Sequence, residues 1–100
     1  MYYLLFYEKA PDYASREVAW RDSHRTHVLA AADSGQLILA GSLADPVDGS
    51  AVLLFEADSP AFVEAFAAAD PYVRAGVVTR WRVRNWRTVA GRGVAVSFPE

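Results

Sequence analysis

The sequence contains no cysteine. That excludes disulfides, thiolate metal sites and a cysteine nucleophile, and it suits a reducing cytoplasm. No apolar run approaches the roughly 20 residues of a membrane-spanning helix. No secretory leader is expected either: Met1 to Tyr7 is apolar, but Glu8, Pro11 and Asp12 end the stretch too early. Internal repeats and low-complexity tracts are missing. So is an excess of one charge: the formal net charge is −2, without the basic stripe that nucleic acid requires. Arg74, Arg80, Arg82, Arg84, Arg87 and Arg92 make the last third locally basic, while Asp45, Asp48, Glu56, Asp58, Glu64 and Asp70 make the middle acidic. Such an asymmetry is ordinarily two solvated or paired faces. Neither nucleic acid nor a membrane is an expected partner.

What is present is one domain's worth of chain, 100 residues of which 53% are hydrophobic. That share is slightly above the usual one for soluble domains, and a subunit interface is the natural place to bury the surplus. Tyr2 to Tyr7 is apolar or aromatic throughout, which suits a strand buried on both faces. A helix follows over Ser15 to Asp33, with Ser15 as N-cap and Gly35 as the left-handed residue beyond its end. Val18, Arg21, Arg25, Val28, Leu29 and Ala32 form its expected inner stripe. Gln36 to Gly41 and Ala51 to Glu56 read as a hairpin across a turn-rich loop containing Asp48-Gly49. Asp58-Ser59-Pro60 opens a second helix with Phe62, Val63, Phe66 and Ala69 inward. It ends at Asp70-Pro71, because a residue before proline is pushed out of the α region. Tyr72 to Gly76 is a short irregular or single-turn segment. Val77 to Val89 alternates, with Val77, Thr79, Trp81 and Val83 on one side and Val78, Arg80, Arg82, Arg84 and Trp86 on the other.

The expected fold is therefore α+β, with the βαββαβ order of a ferredoxin-like domain. Two helices cover one face of a four-stranded antiparallel sheet. The other face stays open, and a homodimer through it is expected. Residues 1–89 form the domain; residues 90–100 are a C-terminal extension that adds an edge strand or reaches a partner.

Only two histidines occur, His24 and His27, three residues apart on the first helix. Asp22 and Asp70 would have to complete any metal site they formed, and no His-Glu-x-x-His pattern is present, so no metal is expected. His24 lies beside the apolar stripe near Trp20, Arg21 and Val28, and is expected to be partly buried. His27 lies further round, as a solvated residue. A carboxylate on one nitrogen of His24 would fix its tautomer and stabilise the imidazolium, freeing the other nitrogen for proton transfer. Arg21 can hold the charge of an anionic substrate or intermediate, or pair with Asp22, Glu17 or Asp70. Tyr72 can present its phenol to the same cleft or pack under the turn.

Several stretches resemble the YciI-related (YCII) family. These are Tyr2-Tyr3-Leu4-Leu5-Phe6-Tyr7, the helix carrying Arg21-Asp22-Ser23-His24 before Gly35, and Gly41 ending the second strand. The most specific is Asp70-Pro71-Tyr72-Val73-Arg74-Ala75-Gly76-Val77-Val78, followed by Trp81-Arg82-Val83-Arg84-Asn85-Trp86. Asn85 departs from a pattern in which proline often follows that arginine. The resemblance implies a ferredoxin-like domain that pairs into a dimeric α/β barrel. It also implies an active-site pair at His24 and Asp70; Arg21 and Tyr72, placed beside them by the reading of the residues, are the candidate substrate-binding neighbours. Some related proteins act on hydroxylated or chlorinated aromatic compounds. The expected function is thus a cofactor-independent isomerase or lyase on a small anionic or aromatic molecule. The alternative is a non-catalytic ligand-binding or accessory module of the same fold. A haem or oxygen enzyme is a third class, for which the chain shows no motif beyond two histidines.

Overall fold

The computed structural model describes residues 1–94, 96 and 98. Four strands, β1 (Tyr2–Lys9), β2 (Leu37–Ser42), β3 (Ala51–Glu56) and β4 (Val78–Trp86), form one antiparallel sheet in the order β2-β3-β1-β4. Between them lie α1 (Tyr13–Arg16), a 3₁₀ turn (Glu17–Trp20), α2 (Arg21–Asp33), α3 (Pro60–Ala69) and α4 (Pro71–Arg74). This is the expected βαββαβ plan, with each helical segment subdivided. Among the described residues no helix is long and apolar enough to cross a membrane. The segment 90–100 falls partly outside the described residues, at 95, 97, 99 and 100.

The alternation of β1 divides the molecule. Tyr3, Leu5 and Tyr7 are buried under the helices, together with Leu53 and Phe55 of β3 and Val63, Phe66 and Ala67 of α3. Tyr2, Leu4 and Phe6 face the other way and are only half-buried. The register sets Leu4 opposite Leu54 and Arg84, and Phe6 opposite Val52 and Arg82, so these residues share the open face. Arg82 lies over the Phe6 ring, 5.1 Å from its centroid. The expected split of β4 holds for Trp81 and Val83 against Arg80, Arg82 and Arg84. It fails at Val78: a register shift between Glu8 and Lys9 pairs Val78 with Lys9 and buries it in the core.

Three local expectations change. The first helix begins two residues earlier, and its N-cap is Asp12. Ser15 lies inside the first turn, its hydroxyl donating to the Asp12 carbonyl at 3.1 Å. The inner stripe is also rotated. Val18, Leu29 and Ala32 are exposed, Leu29 at 62%, and the inward line runs through Arg21, His24, His27, Val28 and Ala31. On α3, Ala67 rather than Ala69 is buried. Gly35 does close α2, at φ +87.

Candidate active site

Asp70 is built by its neighbour. Pro71 holds it extended (φ −65, ψ 124), which ends α3 and makes Asp70 the N-cap of α4. Its Oδ1 accepts from the Tyr72 backbone N–H at 2.9 Å and from His24 Nδ1 at 2.8 Å. Its Oδ2 accepts from the Tyr7 hydroxyl at 2.8 Å. The side chain is 0% exposed, the one buried charged residue among those described. Burial pushes its carboxyl up, but the three hydrogen bonds and the neighbouring His24 outweigh it and hold the group below its usual value. The Tyr7 phenol is driven far up, first by burial and then by the charge and hydrogen bond of Asp70. Tyr7 therefore stays a donor and Asp70 stays a carboxylate.

Because a carboxylate only accepts, Nδ1 of His24 carries the proton. The other ring nitrogen, Nε2, has no hydrogen-bond partner among the described residues. The His24 side chain is 20% exposed. Its ring stacks on Tyr72, centroids 3.8 Å apart and planes at 7°. Asp70 and Tyr72 thus grip the imidazole at one nitrogen and one face.

His24 and Tyr72 line an open cavity of about 200 Å³ between α2 and the sheet, with Tyr7, Lys9, Gly41 and Ser42. A cavity of roughly 150 Å³ holds one benzene ring, so this one suits a single-ring molecule. A larger hollow of about 320 Å³ opens beside Phe6, Arg80 and Trp81. It shares Tyr7 and Ala51 with the first but holds no histidine, whereas His24 lines the smaller one.

His27 is not the solvated residue expected. It donates from Nε2 to the Phe66 carbonyl at 2.9 Å and stacks on the Phe66 ring at 4.3 Å. The two histidines thus serve different partners, and among the described residues no three ligating side chains cluster as a metal would need. Arg21 pairs with Glu17 at 3.6 Å and is not part of the cavity wall. Tyr72 is in that wall, and its phenol is pushed up by burial and by Glu17, against the lowering pull of Arg21 and Arg25.

Sequence reasoning missed Tyr7 and Lys9. Both lie on a strand whose apolar run drew attention to packing. The signal for Tyr7 was its inward parity with Tyr3 and Leu5. For Lys9 it was the same parity, which puts a charge on the covered side of the sheet.

Fold and site together define a class: a ferredoxin-like α+β domain with a histidine, oriented by a buried carboxylate, in the wall of a ring-sized cavity. The chain belongs to the YCII-related domain family, whose profile matches residues 1–87. Among solved structures it is similar to 5-chloro-2-hydroxyhydroquinone dehydrochlorinase (TftG) from Burkholderia phenoliruptrix AC1100, in complex with 2,5-dihydroxybenzoquinone. That likeness has a TM-score of 0.73 at 19% identity, over 87% of this chain and 94% of that one. Protein Atu4242 from Agrobacterium tumefaciens is similar with a TM-score of 0.57 at 8% identity, over 97% and 100% of the two chains. Rv0793 from Mycobacterium tuberculosis gives 0.50 at 17%, over 90% and 97%. At these identities the likeness establishes the fold. None of the curated proteins matches.

Proposed function

We propose that this chain is a cofactor-independent acid/base enzyme, an isomerase or a dehydrochlorinase-like lyase, acting on a small anionic aromatic or quinonoid molecule. The observation that carries this is the 2.8 Å bond from His24 Nδ1 to Asp70, with His24 in the cavity wall. In an isomerase Nε2 takes a proton from substrate carbon or oxygen and returns it at another position. In a dehydrochlorinase it takes a proton from a ring hydroxyl, the C–Cl bond breaks with its electron pair leaving as chloride, and the ring gains a quinone carbonyl, so that HCl is lost overall. Asp70 keeps the tautomer and stabilises the imidazolium. Tyr72 holds the ring flat. The neighbour's complex with 2,5-dihydroxybenzoquinone supports a hydroxylated ring as the first substrate class to try.

The test is a turnover screen of hydroxylated and chlorinated hydroquinones, followed by absorbance. His24→Ala should lose ~10²- to 10⁴-fold in rate, the usual worth of a positioned acid/base group. Asp70→Asn should lose a similar factor. Full turnover in both variants overturns the assignment. A second reading has its own observation: all three donors around Asp70 are satisfied, and the pair ties α2 to the α3–α4 junction, as a structural lock in a binding module would. Unchanged ligand binding with a large stability loss in both variants would favour that reading.

A second copy of the chain is the proposed cover for the open face. Tyr2, Leu4, Phe6, Val52 and Leu54 form a half-buried apolar patch there, with Leu39 and Trp86 exposed at its margins. Sedimentation at micromolar concentration should give twice the chain mass; a monomer would refute this.

A further inference from the structure

Nine arginines and one lysine make up the cations of this sequence. The arginines are exposed, except for half-buried Arg21. The single lysine is placed differently. Lys9 has a side chain only 12% exposed, and it lies in the wall of the His24 cavity. Its ammonium stands over the rings of Tyr13 and Tyr72, 5.3 Å from each centroid. The Tyr72 ring therefore touches both the ammonium and the imidazole.

The ion-pair arithmetic leaves Lys9 short of negative charge. Its partner is Glu17 Oε2 at 3.3 Å, while Glu17 Oε1 pairs with Arg21 at 3.6 Å. One carboxylate is split between two cations, so the trio carries one positive charge in excess. Of its two cations, only Lys9 lines the cavity. A half-buried ammonium with donors to spare, in a wall made mostly of small and aromatic side chains, is arranged to receive an anion. An aromatic face alone would not hold it there, since cation–π attraction at a partly exposed site is modest. Glu17 fixes it in position.

We infer that Lys9 is the anion-binding residue of this site. The cavity takes a small organic anion whose charged oxygen, a carboxylate, phenolate or enolate, sits against the Lys9 ammonium while His24 faces the same molecule. Arg21, the residue expected for that role, pairs with Glu17 and lies outside the cavity wall. This inference rests on the proposed reading of the His24 cavity as a ligand site.

The test uses 2,5-dihydroxybenzoquinone, an anion near neutral pH, and its neutral dimethyl ether. In protein labelled with ¹⁵N-lysine the side-chain ammonium gives one signal, that of Lys9, and the anion should shift it. Lys9→Met should weaken anion binding about tenfold or more, as expected for a lost charge-assisted hydrogen bond, while affinity for the neutral ether stays constant. Lys9→Arg should keep most of the anion affinity, and Arg21→Met should lose less than Lys9→Met. Thermal unfolding of each variant checks that the fold survives; Lys9→Arg preserves the charge if Lys9→Met does not fold. The inference is overturned if Lys9→Met binds the anion as wild type does. It is equally overturned if Arg21→Met loses more, or if wild type binds the anion no better than the ether. Lys9-dependent anion binding without any turnover would leave this assignment standing and remove the catalytic one. His24-dependent turnover untouched by Lys9→Met would do the reverse.

Discussion

The two histidines of α2 sit one turn apart on the same inward line, yet the regions around them are built for different ends. His27 meets the middle of α3: a carbonyl at Phe66 and the flat of the Phe66 ring, which in turn packs edge-on against Phe55 at 4.9 Å. His24 meets the end of α3: a buried carboxylate and a tyrosine beside a cavity. Both rings are stacked and both are hydrogen-bonded. The difference lies in what the partner can do. A carbonyl carries no net charge, so His27 is a polar piece of the core. A carboxylate carries the charge that balances an imidazolium, which is what the proposed proton transfer at His24 requires. What separates them in the sequence is a proline: Pro71 turns Asp70 out of α3 and aims its side chain back at α2.

The largest expected effect tests the Asp70 side. Asp70→Ala removes the acceptor of three donors, from Tyr7, His24 and Tyr72. Each buried donor left unpaired costs roughly 1–3 kcal/mol, offset in part because a buried charge also disappears. A net loss of about 3–4 kcal/mol in urea denaturation is expected. A loss under 1 kcal/mol would show that Asp70 contributes little to the fold. Because the Asp70 carboxyl is held below its usual 3.8, its contribution is present above that value. It fades as pH falls through the lower folded value. Asp70→Asn should therefore flatten the acid limb of the stability profile.

The next effect separates the histidines. His27→Ala strips a ring from the core and leaves the Phe66 carbonyl short of a partner, at a cost of roughly 1–2 kcal/mol. Binding of 2,5-dihydroxybenzoquinone should not change. His24→Ala should cost a similar amount of stability, again roughly 1–2 kcal/mol, but should also weaken that binding. Equal binding losses in both variants would erase the distinction between the two regions.

Much of this was legible before folding. The unbroken apolar run of β1, the period-two alternation of β4 and the Pro, Gly and Asp-Gly punctuation carry the βαββαβ order. Asp70-Pro71 carries both a helix end and a cap, which are local physics. The inner face of α2 was not legible, because reading it by hydrophobicity favours Val18, Leu29 and Ala32 over two histidines. The histidines point inward since α3 and α4 offer them a carbonyl, a carboxylate and two rings, partners 39 to 48 residues away in the chain. Nothing within α2 reveals those partners. The pairing of Arg21 with Glu17, four residues back, was among the local alternatives, whereas the place of Lys9 in the same cluster depends on the fold bringing the end of β1 within 3.3 Å of Glu17.

The smallest effect concerns Tyr7, which belongs to the His24 region although it approaches from the sheet. Tyr7→Phe keeps the ring and removes one donor to Oδ2 of Asp70, at a cost of about 1 kcal/mol. The informative part is its pH dependence. The Tyr7 phenol is raised above its usual 10.0, so the folded protein holds that proton more tightly than the unfolded chain. Its contribution is complete below pH 10 and declines as pH rises beyond it, where the unfolded chain ionises first. In wild type this adds to the fall in stability above pH 10. In Tyr7→Phe that part of the fall should vanish, and the two unfolding curves should converge with rising pH. Parallel curves across the alkaline range would mean that the Tyr7 hydroxyl is not held by Asp70 in solution. The carboxylate would then keep only its bonds to the Tyr72 amide and to His24.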